Sequence, residues 1–247
     1  MINRQKILLF LLLSTFYFLF PFGVANAAEL FFEPSSQEIK TGDYFQVDLY
    51  LSPDNEDINA IEGKIIIPEN LLAVSEIIDG DSIINFWTEK PIFANGAVAF
   101  GGVIPGGFKG VLDPFKEGYQ PGKILKLILK TKADGQGLIA IENAKAFLND
   151  GLGTEAKLSI INYQFSINEE APAIAGLLPI KDPDPPEIFE PVLARNPNVF
   201  DNKWFLVFVS QDKGSGIAYY AIRETRREIN IQRETDAKWV EAESPYL

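Results

Sequence analysis

Apolar and polar side chains alternate along most of the chain between Ala28 and Asn168, and Gly, Asn, Asp and Pro stand at the breaks. Alternation with a period of two is typical of β-strands that bury one face. In the clearest case, the apolar face comprises Phe45, Val47, Leu49 and Leu51, and the other comprises Tyr44, Gln46, Asp48 and Tyr50. We predict that the first set faces a core and that the second is largely solvated.

The same pattern predicts nine strands, at Glu29 to Glu33, Tyr44 to Leu51, Ile58 to Ile67, Leu71 to Ile78, Ile83 to Glu89, Ala97 to Val103, Lys123 to Lys132, Leu138 to Leu148 and Lys157 to Ile167. Nine short strands joined by turns favour an all-β fold, and specifically a nine-stranded antiparallel jelly-roll sandwich. Asn95-Gly96 predicts a tight hairpin, because both residues tolerate the positive φ of a type I′ turn. The Gly- and Pro-rich stretch from Ile104 to Gly122 is predicted to be a long, irregular, functional loop.

The first 27 residues have a different character. Arg4 and Lys6 precede an apolar run from Ile7 to Phe22, and Ala25-Asn26-Ala27 follows as a small-x-small cleavage signal. We therefore expect residues 1–27 to be a secretory signal peptide, and the protein to be secreted or displayed on a bacterial cell surface. The alternative is an uncleaved membrane anchor, but the apolar run is short for a span of roughly 20 residues.

A change in composition marks the end of the first domain, which we predict at residues 28–168. Five prolines lie between Ala171 and Pro186, so residues 169–186 are predicted to form a stiff linker. Beyond it, residues 187–247 show strand patterns at Glu187 to Leu193, Lys203 to Ser210 and Ala218 to Glu224. The pattern of the second of these strands predicts burial of both its faces. About 60 residues is short of the ≈ 100 of a complete Ig-type sandwich, so we expect this domain to be truncated.

Composition excludes several chemistries. The chain has no Cys and no His, which removes the usual Ser-His-Asp and Cys-His nucleophiles and the usual Cys/His zinc sites. Its net charge of −12 argues against a nucleic-acid partner. We therefore expect a protein that is not an enzyme. A pair of carboxylates for glycoside hydrolysis, Glu62 and Glu89, is the weaker alternative.

Three aromatic residues are candidate ligand-binding residues, because flat exposed rings can bind sugars. Trp87 is followed by polar residues, and Tyr44 and Tyr50 share a polar strand face. The competing interpretation is that Trp87 is an ordinary core or rim aromatic and that the two tyrosines are merely solvated.

Two acidic clusters offer the oxygen ligands that Ca²⁺ prefers. Asp54 and Asp57 lie in one cluster and Asp150 lies in the other. Neither cluster has EF-hand spacing, so the alternative for both is a solvated turn, and no other cofactor is expected.

Four segments in order resemble the cohesin modules of bacterial cellulosomes, within the carbohydrate-binding-module-like jelly-roll superfamily: Thr41-Gly42-Asp43-Tyr44-Phe45-Gln46-Val47, Ile58 to Leu71 with its Pro68-Glu69-Asn70-Leu71 turn, Pro121-Gly122-Lys123-Ile124-Leu125, and Phe147 to Thr154 with its Asp150-Gly151. At Ile67-Pro68-Glu69 the chain departs from the Tyr-Asp-Pro of many cohesins. Separately, Asp212 to Tyr220 resembles a D-x-x-S-G-I-x-x-Y turn of bacterial Ig-like repeats.

The cohesin resemblance implies a non-catalytic module that recognises a dockerin-type protein by one sheet face. The alternatives are a polysaccharide-binding module and a passive stalk of a surface protein. Any membrane contact would come from the signal peptide or from an anchor outside this chain.

Overall fold

The structure is a computed structural model that describes residues 27–172, 182–224 and 238–247. Thirteen strands lie between Ala28 and Ile167: β1 (Ala28–Pro34), β2 (Glu38–Ile39), β3 (Tyr44–Ser52), β4 (Ile58–Ile66), β5 (Leu72–Ile78), β6 (Phe86–Ala94), β7 (Ala97–Phe108), β8 (Val111–Leu112), β9 (Tyr119–Gln120), β10 (Gly122–Thr131), β11 (Gly135–Leu148), β12 (Leu158–Ile161) and β13 (Tyr163–Ile167). The all-β prediction is confirmed, although the number of strands exceeds nine.

Two sheets form the body of this part of the chain. One has five strands in the order β12-β1-β3-β10-β5, and the other has six in the order β2-β13-β11-β4-β7-β6. Period-two alternation gives each sheet one apolar face, and the two apolar faces enclose a single core. Phe45 from the first sheet meets Phe165 from the second at 6.2 Å between ring centroids.

Gly63 shows how closely the core is packed. A Cβ at this position would lie 3.1 Å from the Phe100 ring and 3.2 Å from Ala144 Cβ. The Phe100 side chain therefore fills the space beside β4, and it is fully buried. Removing such a buried ring costs about 3–5 kcal/mol.

The sandwich departs from antiparallel pairing at two edges. β1 pairs in parallel with β12, and β13 pairs in parallel with β2. These contacts join segments more than a hundred residues apart, so no local pattern announces them. The single predicted strand at Lys157 to Ile167 is divided at Asn162, whose Oδ1 accepts a hydrogen bond from Ile141 N at 2.9 Å.

The stretch from Ile104 to Gly122 is more regular than predicted. β7 continues to Phe108 because Ile104 and Phe108 are both buried, and β8 and β9 form a small hairpin. Similarly, the strand predicted from Ile83 runs instead from Phe86 to Ala94. The hairpin at Asn95-Gly96 is confirmed: it joins β6 to β7 with φ of 52° and 76°.

The described residues after position 181, which are 182–224 and 238–247, include two small sheets. β14 (Val192–Arg195) pairs with β15 (Trp204–Val207), and β16 (Tyr220–Ile222) pairs with β17 (Val240–Ala242). Burial of both faces of the strand around Trp204 is not observed, since Trp204 and Val207 are exposed. The apolar contacts here centre on three rings, those of Phe189, Phe208 and Tyr220.

The predicted signal peptide, residues 1–27, lies outside the described residues except for its last residue, and of the predicted linker, residues 169–186, positions 173–181 lie outside them. Within the ranges described, no helix has the length and apolarity needed to cross a membrane.

Candidate functional site

The outer face of the six-stranded sheet carries apolar residues at solvent-facing positions, where regular alternation predicts polar ones. Across β6, β7, β4 and β11, one row consists of Phe86, Val103, Ala60 and Phe147. Phe86 is 54% exposed, and the other three are partly buried. We call these four residues the apolar row.

A second row of four residues lies beside the apolar row and is charged, comprising Glu89, Gly101, Glu62 and Lys145. Lys145 Nζ lies 4.0 Å from Glu62 Oε1, and both side chains are about half exposed, so this ion pair contributes little to stability. Gly101 leaves the middle of the row without a side chain. Glu62 and Glu89, the carboxylates considered for hydrolysis, therefore lie on strands that are separated by one intervening strand of an open sheet. Their backbones are about 10 Å apart, which is twice the spacing between neighbouring strands.

A third row lies on the far side of the charged row and comprises Ile92, Ala99, Lys64 and Glu142. Ile92 is 66% exposed at the sheet edge. This part of the outer face therefore combines the apolar row with a neighbouring row that carries two glutamates and a lysine.

Tyr44 and Tyr50 lie on the opposite side of the sandwich, on the outer face of the five-stranded sheet. Tyr50 stacks on Phe31, with 5.8 Å between centroids and 19° between planes. Lys123 Nζ lies 5.8 Å from the Tyr50 ring centroid, and Lys130 Nζ lies 5.2 Å from that of Tyr44. Burial raises the pKa of the Tyr50 hydroxyl. Both tyrosines are only partly exposed.

Lys123 connects this face to the loop between β5 and β6. Its Nζ lies 3.0 Å from Asp48 and 2.7 Å from Asp81. Burial alone would lower the pKa of Lys123, but hydrogen bonds to Asp81 and Asp48 raise it well above its usual range. Gln46 Nε2 donates a further hydrogen bond to Asp48 at 2.8 Å. The carboxylate of Asp48 is thus buried but fully compensated.

Trp87 does not join the two tyrosines. It belongs to the other sheet, packs against the core, and donates its indole N–H to Asp79. The structure therefore brings Tyr44 and Tyr50 to one face and places Trp87 elsewhere. A ligand role for each of the three stays a prediction.

The three aspartates considered for calcium are only partly gathered. Asn149 N donates to the Asp57 carbonyl oxygen at 2.7 Å, and Asn149 Nδ2 donates to Asp57 Oδ2 at 3.3 Å. Asp150, next in sequence, accepts a hydrogen bond from Leu152 N at 2.8 Å. Hydrogen bonds from the Thr154 hydroxyl and from Leu152 N lower its pKa.

Asp54 lies in an exposed turn with φ of 45°. Over the described ranges, no three Asp, Glu, His or Cys side chains are grouped so as to hold a metal ion. One feature of the region remains without a partner: Asp57 Oδ1 is buried and accepts no hydrogen bond.

Sequence reasoning missed Val103 and Ile92 as surface residues. In β6 the register shifts between Trp87 and Glu89 and again before Ile92, so the side-chain alternation is interrupted. Exposure of Ile92 therefore could not be predicted from a period of two.

No protein-family model and no curated protein matches this chain. Among solved structures, the chain is similar to a non-cellulosomal cohesin from the hyperthermophilic archaeon Archaeoglobus fulgidus, with 17% identity over 57% of this chain and 91% of that one, and a TM-score of 0.45. It is also similar to a cohesin module from a family 33 glycoside hydrolase of Clostridium perfringens, with 14% identity over 59% and 99% of the two chains and a TM-score of 0.46. A third similar structure is the sixth cohesin of Acetivibrio cellulolyticus scaffoldin B in complex with a dockerin, with 12% identity over 57% and 99% and a TM-score of 0.42.

Proposed function

We propose that residues 28–168 form a non-catalytic binding module that recognises a dockerin-type protein partner through the outer face of the six-stranded sheet. The observation that carries the proposal is the apolar row, which places four apolar side chains from four strands side by side on a solvent-facing surface. Exposed apolar patches rimmed by polar residues are typical of protein interaction sites.

The shape and charge of this face favour a protein over a small molecule. Small-molecule sites are concave and enclose most of the ligand. The apolar row lies instead on an open sheet face, and the charged residues beside it, Glu89, Glu62 and Lys145, resemble the polar rim of an interface. We expect Phe86 to contribute most to the affinity, because it is the most exposed side chain of the apolar row and a large aromatic ring buries much apolar area when it is covered.

The class of partner comes from the sequence. The four cohesin-like segments occur in the family's order within residues 28–168, and dockerins are the partners that this resemblance implies. Export through residues 1–27 would bring the module to where such partners are displayed. The proposed localisation is therefore secreted or on the cell surface.

A panel of recombinant dockerin modules, titrated calorimetrically against the full chain, tests this proposal. We expect one or more to bind, and we expect Phe86→Ala to weaken that binding at least tenfold, about 1.4 kcal/mol. The matched control is Leu152→Ala, which truncates an exposed residue in the turn after β11 and should leave affinity unchanged. Equal affinity of the Phe86→Ala and native chains would overturn the assignment of the face.

Polysaccharide binding is the second candidate function, favoured by the stacked Phe31 and Tyr50 rings on the five-stranded sheet. Retention of the full chain on insoluble polysaccharide, reduced by Tyr50→Ala and unaffected by Phe86→Ala, would support it. Absence of both kinds of binding would leave the stalk hypothesis.

A further inference from the structure

The loop between β5 and β6 is in direct contact with the part of the chain that follows the linker. A Cβ built on Gly80 would lie 2.5 Å from the carbonyl oxygen of Asp212 and 2.6 Å from that of Gly214. Real Cβ atoms essentially never approach backbone so closely. The turn at residues 211–217 therefore packs backbone to backbone against this loop, at a position where only glycine fits.

The contact has a second glycine on the other side. A Cβ on Gly216 would lie 1.8 Å from Asp79 Oδ1, and 3.4 Å from Gly80 N. Gly216 also has φ of 84°, which favours glycine independently. Gly80 and Gly216 thus let two loops from distant parts of the sequence approach each other without intervening side chains.

Contacts with strands β6 and β10 hold the β5–β6 loop in place, independently of the turn at residues 211–217. Asp79 accepts a hydrogen bond from the Trp87 indole and lies 4.0 Å from Lys90 Nζ, both on β6. Two residues further on, Asp81 pairs with Lys123 of β10 at 2.7 Å. The loop is therefore tied to both sheets of the sandwich.

The turn is also organised by its own neighbours. Asp212 Oδ1 accepts a hydrogen bond from Gly214 N at 2.8 Å, and Asp182, within the predicted linker, accepts one from Ser215 N at 2.6 Å. Glu187 N donates to the Gln211 carbonyl oxygen at 2.8 Å. Asp182 and Glu187 are thus both hydrogen-bonded to the turn that contacts Gly80.

We propose that this contact is a fixed joint: the turn at residues 211–217 seats on the β5–β6 loop and holds the second part of the chain in one orientation on the first. Two preorganised loops lose little conformational entropy when they meet, so a small contact can be stable. The Pro-rich segment then closes a loop between two bodies that already touch, and the joint, rather than the linker, sets their relative orientation. This inference does not depend on the proposed function.

Pulsed electron–electron double resonance on the full chain, which measures the distance between two spin labels, tests the joint. The protein contains no Cys, so Leu152→Cys and Val209→Cys, both at exposed positions on either side of the joint, give a doubly labelled chain without removing native thiols. We expect one narrow distance distribution. Adding Gly80→Val should abolish the narrow peak, because the valine side chain cannot fit against the turn.

The matched control is Gly118→Ala in the same labelled chain. Gly118 also lies in a loop of the first part, has φ of 74°, and has nothing within 4 Å of its Cβ position, so it tests strain without touching the joint. The narrow peak should persist. A broad distribution in the native labelled chain, or a narrow one at the same distance in a folded Gly80→Val chain, would overturn the proposal. If Gly80→Val fails to fold, the distance distributions of the Gly80→Ala and native labelled chains still test the proposed joint.

Discussion

Lys123 Nζ lies 3.0 Å from Asp48 Oδ2, and this ion pair is on the outer face of the five-stranded sheet with both side chains largely shielded from solvent. Asp48 is only 6% exposed, which is unusual for a carboxylate. Its position in β3 belongs to the polar set predicted to be solvated. The structure shows that this position is covered by its neighbours, and Lys123 provides the compensating charge.

Replacing Lys123 by Met should destabilise the protein by about 3–5 kcal/mol, because it leaves a buried carboxylate without its partner. Urea denaturation of the native and variant chains measures the difference. Lys130→Met is the matched control: Lys130 is on the same strand but exposed, and its loss should change the free energy of unfolding by less than about 0.5 kcal/mol. Equal stability of the Lys123→Met and native chains would show that Asp48 is hydrated.

Asp79 should make stability depend on pH in a way that reveals its burial. Burial raises the pKa of the Asp79 carboxyl, an effect that Lys90 opposes and Asp212 reinforces. An acid whose pKa is higher in the folded state destabilises that state when ionised. Asp79→Asn should therefore be more stable than the native chain at pH 7. The advantage should shrink as the pH falls through the raised pKa, and disappear below the ordinary value of about 3.9.

Asp182 is the control for this prediction, because its pKa is shifted in the opposite direction. Hydrogen bonds from the backbone N–H groups of Asp184 and Ser215 lower its pKa. Asp182→Asn should therefore be less stable than the native chain at pH 7, and this deficit should fade at low pH. Free energies of unfolding measured at intervals from pH 7 to pH 3 distinguish the two. A deficit for Asp79→Asn at pH 7 would contradict the account of its burial.

Asn149 should stabilise the end of the sandwich where the β3–β4 loop, the turn after β11 and the end of β7 meet. Its side chain donates to Asp57 Oδ2 and to the Gly106 carbonyl oxygen, at 3.3 and 3.2 Å. Asn149→Ala should cost about 1–2 kcal/mol, the usual net value of two such hydrogen bonds. Thermal unfolding of the native and Asn149→Ala chains measures this loss.

The same measurement on the native and Asp57→Asn chains, with Ca²⁺ and with chelator, tests the calcium hypothesis. A Ca²⁺-dependent rise in Tm that is lost in Asp57→Asn would support a site there, and equal Tm with Ca²⁺ and with chelator would exclude stabilisation by Ca²⁺.

Gly96 should be required by the hairpin between β6 and β7. Its φ of 76° is in the left-handed region, where a residue with a Cβ pays roughly 1–2 kcal/mol. Gly96→Ala should lose that amount in urea denaturation, whereas Asn95→Gly should lose less, since glycine accepts the φ of 52° found there. A Cβ on Gly96 would also lie 3.0 Å from Glu69 Oε2. Equal losses would therefore indicate that crowding by Glu69, and not backbone conformation, selects glycine.

The strands of the sandwich could be predicted from the sequence wherever burial alternates regularly, as in β3 and β4. The prediction fails where the fold depends on distant partners: β2 has only two residues, and it is a strand because β13 lies beside it. The candidate site fails for a related reason, since Phe86 and Val103 become neighbours only when β6 and β7 pair in an irregular register. The sequence identified Tyr44, Tyr50 and Trp87 as candidate ligand-binding residues. The contact of Tyr50 with Phe31 and the hydrogen bond of Trp87 to Asp79 could not be predicted, because they form only in the folded protein.

The parallel pairing of β1 with β12 has a mechanical consequence. Four positions are in register, from Ala28 opposite Leu158 to Phe31 opposite Ile161. A force applied between the beginning of β1 and the end of β12 would slide these parallel strands along each other. The hydrogen bonds between them would then resist together, in shear, whereas an antiparallel pair pulled from its open end gives way one bond at a time. A protein that is anchored at one point and pulled by a partner at another would be protected by that geometry.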